Sequence, residues 1–245
     1  MRKKSDKISN AVIRRLPRYR RYLYELKKKD VEKISSKDFS AMIGYTASQI
    51  RQDLNNFGEF GQQGYGYNVE YLYDEISAIL GLDHEYKMVL IGAGNLGQAI
   101  SKYVTHMQQG FNIVAAFEVK KELIGKSVEG IPIYDYENLV DYVEKHAVDI
   151  GIICVNTGNA QEVADRLCFA GIGGIWNFAL VDLEVPKYVA LESVQMADSL
   201  HSLAYHMTDR REEWEAVRNQ LRNDDLISKE KETSEKEETA QEKSE

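Results

Sequence analysis

Gly92, Gly94 and Gly97 follow the apolar run of residues 86–91 with the spacing Gly-x-Gly-x-x-Gly. Between a strand and a helix, that pattern makes a turn that a phosphate backbone can approach. Gly92 permits the tight turn, Gly94 lets the main chain come close to a pyrophosphate, and Gly97 lets the helix pack on the strand. With Ala93 completing the turn, the phosphates would lie at the helix N-terminus, near the amides of Asn95 and Leu96. A second apolar run, 112–117, ends on Glu118, 21 residues beyond Gly97. A carboxylate there accepts both ribose hydroxyls and repels a 2′-phosphate, which favours NAD(H) over NADP(H). Lys120 and Lys121 pull the other way.

Ligands of such sheets bind at the carboxyl ends of the strands. Asn156 and Thr157 follow the run 150–155, and Asn177 and Phe178 follow 174–176, which makes all four candidates for the cofactor edge. Hydride transfer to a substrate also needs an acid–base group in the cleft. His84, His106, His146, His201 and His206 all lie away from those strand ends, and the two cysteines have no metal-ligand spacing. Cys154 lies in an apolar run and reads as a small buried hydrophobe. A binding domain without catalysis or metal is the better reading.

The elements that must position this site alternate. Strand-like runs at 86–91, 111–117, 131–134, 148–155, 174–177 and 188–190 are separated by helical patterns at 98–107, 135–146 and 159–170. Alternating strands and helices predict a doubly wound, mostly parallel Rossmann-like sheet covered on both faces. A last helix is predicted over 193–207. Val194, Met196, Ala197, Leu200, Leu203 and Met207 give it an apolar surface wide enough for a partner subunit or for its own sheet. A charged helical pattern continues around Trp214. From about residue 223 the chain is polar and without aromatics, the composition of a disordered tail.

Residues before the sheet differ in kind. Residues 1–29 carry twelve Lys/Arg and two acids, a balance of +10 inside a chain of net charge −8. One basic face, rather than overall stickiness to nucleic acid, follows from that asymmetry. The pattern predicts a short helix over 9–15 and a longer one from Pro17 to Lys29, with Tyr19, Tyr22, Leu23 and Leu26 on its apolar side. Ser35 and Ser36 signal a helix over 38–43 that Gly44 stops. Thr46 with Gln49 forms a capping box for a helix to about Phe57, with Ile50 and Leu54 inward. Two short helices joined by Gly44-Tyr45 form a helix-turn-helix, and the second is the groove-reading helix. Gly58, Gly61, Gly64 and Gly66, interleaved with aromatics, suit a wing, and Asn68 caps a helix over 69–80.

The expected organisation is a winged-helix DNA-binding domain (1–80), a Rossmann NAD(H)-binding domain (81–191), a last helix (192–208) that the resemblance below reads as a dimerisation helix, and a charged extension with an acidic tail (209–245). With 43% hydrophobic residues a packed core is expected. No run of roughly 18 apolar residues spans a membrane. The charged start lacks an apolar signal core, so a cytoplasmic protein is expected.

Taken together, these features resemble the Rex family of redox-sensing transcriptional repressors. The resemblance runs from about residue 8 to 207. It is carried by Arg15-Leu-Pro-Arg-Tyr19, Thr46-Ala-Ser-Gln-Ile-Arg51, Asp53-Leu54, Phe57-Gly-Glu-Phe-Gly61, Gly64-Tyr-Gly-Tyr67, Gly92–Gly97 and Asn177-Phe-Ala179. It implies a homodimer whose last helix is exchanged between subunits, and a repressor that holds a palindromic operator when NADH is scarce and leaves as NADH rises. Asn95, Leu96, Tyr103, Asn177 and Phe178 match positions near the cofactor, preferentially NADH. The candidate DNA-binding residues are Arg15, Arg18, Tyr19, Thr46, Ser48, Gln49, Arg51 and Gln52, with Gly64, Tyr65, Gly66 and Tyr67 on the wing. Arg51 suits a bidentate guanine contact or a phosphate.

This chain departs from the family pattern in several places. Glu118 replaces an aspartate, Gln52 a lysine, and Gln62-Gln63 a basic wing. Gln195 replaces an acid that would face Arg21, Cys154-Val155-Asn156 replaces Ala-Val-Pro, and the tail past 208 is extra. Altered NADH control is expected from Gln195. Two other readings stay open on the residues alone: an NAD(H)-dependent oxidoreductase with an unusual helical N-terminal domain, and a dimeric interaction module with a vestigial nucleotide fold.

Overall fold

The computed structural model describes residues 8–58, 60–62, 66–107 and 110–224. The first domain begins with α1 (Asn10–Lys27), β1 (Lys33–Ile34), α2 (Ser36–Ile43) and α3 (Ala47–Asn55). It ends with β2 (Gly61–Gln62), β3 (Gly66–Asn68) and α4 (Val69–Ile79). The sequence predicts two helices around Pro17, yet α1 is one helix with Pro17 inside it. Proline removes one ladder bond and crowds the preceding turn, a cost of about 3 kcal/mol. Packing offsets it: Val12, Leu16, Tyr19, Leu23 and Leu26, at helical spacing, are all buried along the same face. The helix ends before Lys29, and Asp30 turns into the left-handed region at φ 53°.

α2 and α3 form as their caps dictate. Ser35 Oγ accepts from the Asp38 amide at 3.0 Å, Gly44 closes α2 at φ 73°, and Thr46 Oγ1 accepts from the Gln49 amide at 3.1 Å. The capping box is only half made. The Gln49 side chain runs forward to Asp53 instead of back to Thr46. β2 and β3 pair antiparallel, with Gly61 opposite Tyr67, so the glycine-rich stretch is a hairpin. β1 adds a third strand against β3; two residues are too few to carry an alternating pattern, and it was not foreseen.

One buried cluster joins the reading helix to the first helix. Asp53, on the inner side of α3, is almost wholly buried. Its Oδ2 accepts from Arg15 Nε and from Tyr19 Oη, both at 2.6 Å. Its Oδ1 accepts from Arg15 Nη2 and from Gln49 Nε2, both at 2.8 Å. Burial pushes this carboxyl up, but the hydrogen bonds from Arg15, Tyr19 and Gln49 outweigh it and hold it below the ordinary carboxylate range. Burial, followed by the bond to Asp53, pushes the Tyr19 hydroxyl up.

In the second domain β4 (Tyr86–Ile91), α5 (Asn95–Met107), β5 (Phe111–Glu118), β6 (Ser127–Val128) and β7 (Ile131–Asp135) come first. Then come α6 (Leu139–His146), β8 (Ile150–Ile153), α7 (Thr157–Phe169), β9 (Gly174–Asn177), β10 (Ala190–Ser193) and α8 (Met196–Asp209). The strand order is β10-β9-β8-β4-β5-β7-β6, parallel except for the edge strand β6. This is the doubly wound order, reversing between β4 and β8, and it opens a crevice at the carboxyl ends of those two strands. Met88, Val89, Leu90 and Ile91 are buried in succession, as a central strand covered on both faces requires.

The boundaries shift where pairing overrides pattern. β8 is shorter than 148–155: it covers Ile150–Ile153, the Cys154 amide still donates to the Ile91 carbonyl at 2.8 Å, and Asn156 already caps α7. Asp135 caps a 3₁₀ turn, Tyr136–Asn138, ahead of α6. β10 lies at 190–193 rather than 188–190, and Ser193 pairs with Asn177, so α8 starts only at Met196. Two packing clusters, one on each face, fill the sheet domain, and a third fills the headpiece. α8 joins none of them: no residue of it is buried. In this structure the helix does not dock on its own sheet. A further helical stretch, 211–224, follows.

The Asp53 cluster generates two expectations. Replacing Asp53 by Ala leaves a buried hydroxyl and a guanidinium without their acceptor, and should cost about 3 kcal/mol in urea unfolding. Because the folded-state value of this carboxyl is depressed, its stabilisation is present above the ordinary carboxylate range and is lost as pH falls through the folded value. Acid unfolding of the wild-type chain should therefore show a transition below that range that Asp53→Asn no longer shows.

Candidate functional site

The glycine turn runs from the end of β4 to the start of α5. Gly92 has φ 95°, and a Cβ on it would lie 2.5 Å from the Cys154 carbonyl oxygen. A Cβ on Gly97 would overlap the Gly92 carbonyl oxygen. Both glycines are therefore required by the protein's own packing. Gly94 is different: a Cβ there meets nothing within 4 Å. The open space beside it, at the first turn of α5, is where a bound pyrophosphate would approach amides still free of helical partners.

Glu118 ends β5 and is 8% exposed. Its Oε2 accepts from the Ala93 amide at 3.0 Å, and its Oε1 accepts from the amides of Val119 at 2.8 Å and Lys120 at 3.1 Å. The carboxylate thus ties the end of the second strand to the glycine turn. Lys120 meets it through its backbone, and the ammonium groups of Lys120 and Lys121 belong to exposed residues. A cleft of about 290 Å³ opens here, lined by Gly92, Glu118, Tyr136, Glu137, Val155 and Glu162 among others. Three carboxylates around it suit the bare hydroxyls of a ribose and oppose an extra phosphate on it.

The remaining cofactor candidates divide. Asn156 caps α7 without a side-chain bond to it and Thr157 begins that helix; both are exposed at the carboxyl edge of the sheet. Asn177 is fully buried and works internally. Its Nδ2 donates to the Val181 carbonyl at 3.0 Å and to Ser193 Oγ at 3.2 Å, and its Oδ1 accepts from the Ala179 amide at 2.9 Å. Phe178 is buried edge-on against Trp176 at 4.6 Å. Tyr103 is 60% exposed and stands apart. It borders a largely apolar groove of about 500 Å³ with Met88, Ile150, Gly174 and Ala190, a single cross-strand row near the amino ends of the strands. The structure does not bring it to the glycine turn. Burial pushes the Cys154 thiol up to about 12, so it stays protonated near neutrality. Among the described residues, no three His, Cys, Asp or Glu side chains gather as a metal site would need.

In the headpiece, α3 turns Ser48, Arg51 and Gln52 to the surface. Arg51 Nη1 donates to Ser36 Oγ at 2.8 Å, which steadies an exposed guanidinium. Thr46 is exposed at the N-cap, and Arg18 lies 5.2 Å over the Tyr45 ring. Tyr19 has no exposed surface, and Arg15 and Gln49 are drawn inward by Asp53. Tyr67 is buried too, and Gly66, at φ 74°, has no room for a Cβ beside the Ile34 carbonyl. Gly64, Tyr65 and the Gln62-Gln63 side chains lie outside the described residues. Asp53 was not among the expected site residues. Its signal was readable: an acid three residues past Ile50, on the buried stripe of α3.

The two glycines without room and the one with it make a paired test. Gly97→Ala should lower stability by about 2 kcal/mol, because backbone has to move. Gly94→Ala should leave the thermal midpoint within about a degree of wild type. Calorimetric melting of both variants checks this.

Similarity to known proteins agrees with this layout. A family described as CoA binding domain matches residues 83–181, and one described as Putative DNA-binding protein N-terminus matches 7–55. The redox-sensing transcriptional repressor Rex of Thermoanaerobacter pseudethanolicus is 52% identical over 206 residues, 84% of this chain and 92% of that protein. The Rex repressor of Clostridium botulinum is 56% identical over 200 residues, 82% of this chain and 95% of that one. A crystal structure of RSP in complex with beta-NAD+ and operator DNA superimposes with TM-score 0.80 at 50% identity, covering 88% of this chain and 99% of that one. RSP in complex with beta-NADH gives 0.77 at 48%, covering 84% and 97%. With 52% and 56% identity to these curated members over 84% and 82% of its length, the chain belongs to the Rex family of redox-sensing transcriptional repressors.

Proposed function

We propose that this chain is a DNA-binding repressor that senses the NADH/NAD+ ratio and releases a palindromic operator when NADH binds. The observation that carries this reading is the union, in one chain, of an exposed polar reading face on α3 and a glycine-turn cleft closed by Glu118. Relatives named as repressors, and a relative crystallised with both beta-NAD+ and operator DNA, support it. They favour regulation over the oxidoreductase alternative.

Each part has a physical role. The open space at Gly94 and the first amides of α5 take the pyrophosphate, and Glu118 exchanges its bond to Ala93 for the ribose hydroxyls. Glu118 would repel the 3′-phosphate of coenzyme A as well as a 2′-phosphate, so NAD(H) fits better than either. The nicotinamide ring is cationic when oxidised and neutral when reduced, and an apolar surround favours the neutral ring. Asn156, Thr157 and Phe178 stand at that strand edge, and Asn177 shapes it from below. On the DNA side Arg51, with Ser48 and Gln52, reads base edges, while Arg18 and Thr46 contact backbone. Arg15, Tyr19 and Gln49 act through Asp53, as positioning residues for α3. Tyr67 packs the wing rather than touching a groove.

The repressor works as a homodimer whose α8 helices are exchanged. Every residue of α8 is exposed or half-exposed in the single chain. A cleft of about 890 Å³ between headpiece and sheet, lined by Arg20, Arg21, Tyr24, Tyr103, His106 and Phe111 among others, offers the partner's helix a seat. The two heads then straddle two half-sites, one helical turn or a multiple of it apart. NADH and operator favour different spacings of the heads, with a coupling of about 1–3 kcal/mol. Among the described residues no helix is long and apolar enough to cross a membrane. A reader of bacterial DNA works beside that DNA, in the cytoplasm.

Titrating NADH and NAD+ against labelled palindromic DNA and the purified chain tests the whole reading: release by NADH at concentrations where NAD+ leaves the complex intact. Equal effects of both forms would overturn it. Arg51→Ala should weaken the operator complex by at least about tenfold, while Gly94→Ala should keep DNA binding and lose the response to NADH.

A further inference from the structure

Hydrogen bonds inside the headpiece decide which side chains of α3 are left to meet a ligand. Ile50, Asp53 and Leu54 turn inward, and Ser48, Arg51, Gln52 and Asn55 stand exposed on the other side. Two of the carboxamides on and next to this helix are already engaged. Gln49 Nε2 donates to Asp53 Oδ1 at 2.8 Å, and Asn56 Nδ2 donates to the carbonyls of Gln52 at 3.0 Å and Asp53 at 3.2 Å. The carboxamides of Gln52 and Asn55 make no hydrogen bond among the described residues. Arg51 is the cation of that side, and it gives one of its nitrogens to Ser36 Oγ at 2.8 Å. The helix that carries them is fixed from behind, because Arg15 and Tyr19 of α1 hold Asp53 at 2.6 Å.

We infer that Gln52 reads an adenine in each half-site, and so sets the base sequence this chain selects. The inference rests on the reading above of α3 as the groove helix. A carboxamide carries a donor and an acceptor side by side. In the major groove adenine presents their complement, the N7 acceptor beside the N6 donor, whereas guanine presents two acceptors. Set against guanine, the Gln52 oxygen would face another acceptor with no proton between them. Place on the helix favours Gln52 over Asn55. The N-terminal part of a reading helix meets the base edges, and Asn55 is the last residue of α3, on a side chain one methylene shorter. A neutral side chain releases no counterion from phosphate, so Gln52 adds little to non-specific affinity and acts through its match to a base. Guanine recognition is left to Arg51.

The test uses the full-length chain and a library of duplexes with two randomised, inverted half-sites. Among the bound duplexes, one position of each half-site should carry adenine and should answer to residue 52. Gln52→Lys should turn that position to guanine, since an ammonium can donate to both O6 and N7. Gln52→Ala should leave it without preference while the other positions keep theirs. Residue 52 is exposed, so both variants should melt as the unaltered chain does. On a duplex from the selected pool, replacing that adenine by 7-deazaadenine removes N7 and keeps the base pair. The unaltered chain should then bind roughly fivefold more weakly or worse, and Gln52→Ala should bind as before. A Gln52→Ala chain that binds all duplexes more weakly, with every preference retained, puts residue 52 on a phosphate and overturns the inference. So does a responding position that carries guanine in the selected pool. Neither result touches α3 as the groove helix. Failure of the unaltered chain to select any palindrome overturns that reading and the inference together.

Discussion

An amphipathic helix cannot keep its apolar stripe in water when a partner surface is at hand, and that constraint organises this molecule. Five large side chains of α8 stand more than half exposed in the single chain, and four of them, Met196, Leu200, Leu203 and Met207, form one stripe. Covering each one is worth about 1.5–3 kcal/mol. Covering all four therefore outweighs much of the entropic cost of bringing two subunits together. The consequence is geometric. In the proposed dimer a second copy would supply a second reading helix, and two reading helices at a fixed spacing would turn a weak contact with one half-site into recognition of a palindrome. On that proposal the same contact would make the reader responsive, because whatever alters the sheet domains would alter the distance between the heads.

Two buried carboxylates do comparable work in the two domains. Asp53 gathers Arg15, Tyr19 and Gln49, and so fixes how α3 is presented relative to α1. Glu118 gathers the amides of Ala93, Val119 and Lys120, and so fixes the mouth of the glycine turn. Their difference lies in their partners. Asp53 is held by a cation and a phenol from another helix, which makes it a permanent part of the headpiece. Glu118 is held by backbone amides at the rim of a cleft, and hydroxyls of a ligand can take their place.

Much of this was legible in the residues. Ser35, Thr46 and Asn68 set helix starts by their side-chain oxygens, and Gly44 set a helix end by its left-handed turn. The glycine turn and its acid were readable because phosphate approach admits few sequences. Less legible were features in which distant residues compete. Pro17 argued locally for a break in α1, and five buried side chains overruled it. Arg15, Tyr19 and Gln49 looked like groove contacts by type and position, and a single buried acid drew all three inward. Asn177, a candidate at the cofactor edge by its place after a strand, is also bonded across to Val181 and Ser193, which no local pattern records.

The order of elements, the capping chemistry, the nucleotide turn and the basic head follow from the sequence by itself, since each depends on neighbours within a few residues. Strand order, the true extents of β8 and β10, the separation of Tyr103 from the glycine turn and the bare face of α8 were decided only in three dimensions. Hydrogen-bond register and burial are agreements between segments far apart in the chain, and no local pattern records which partner a surface will meet.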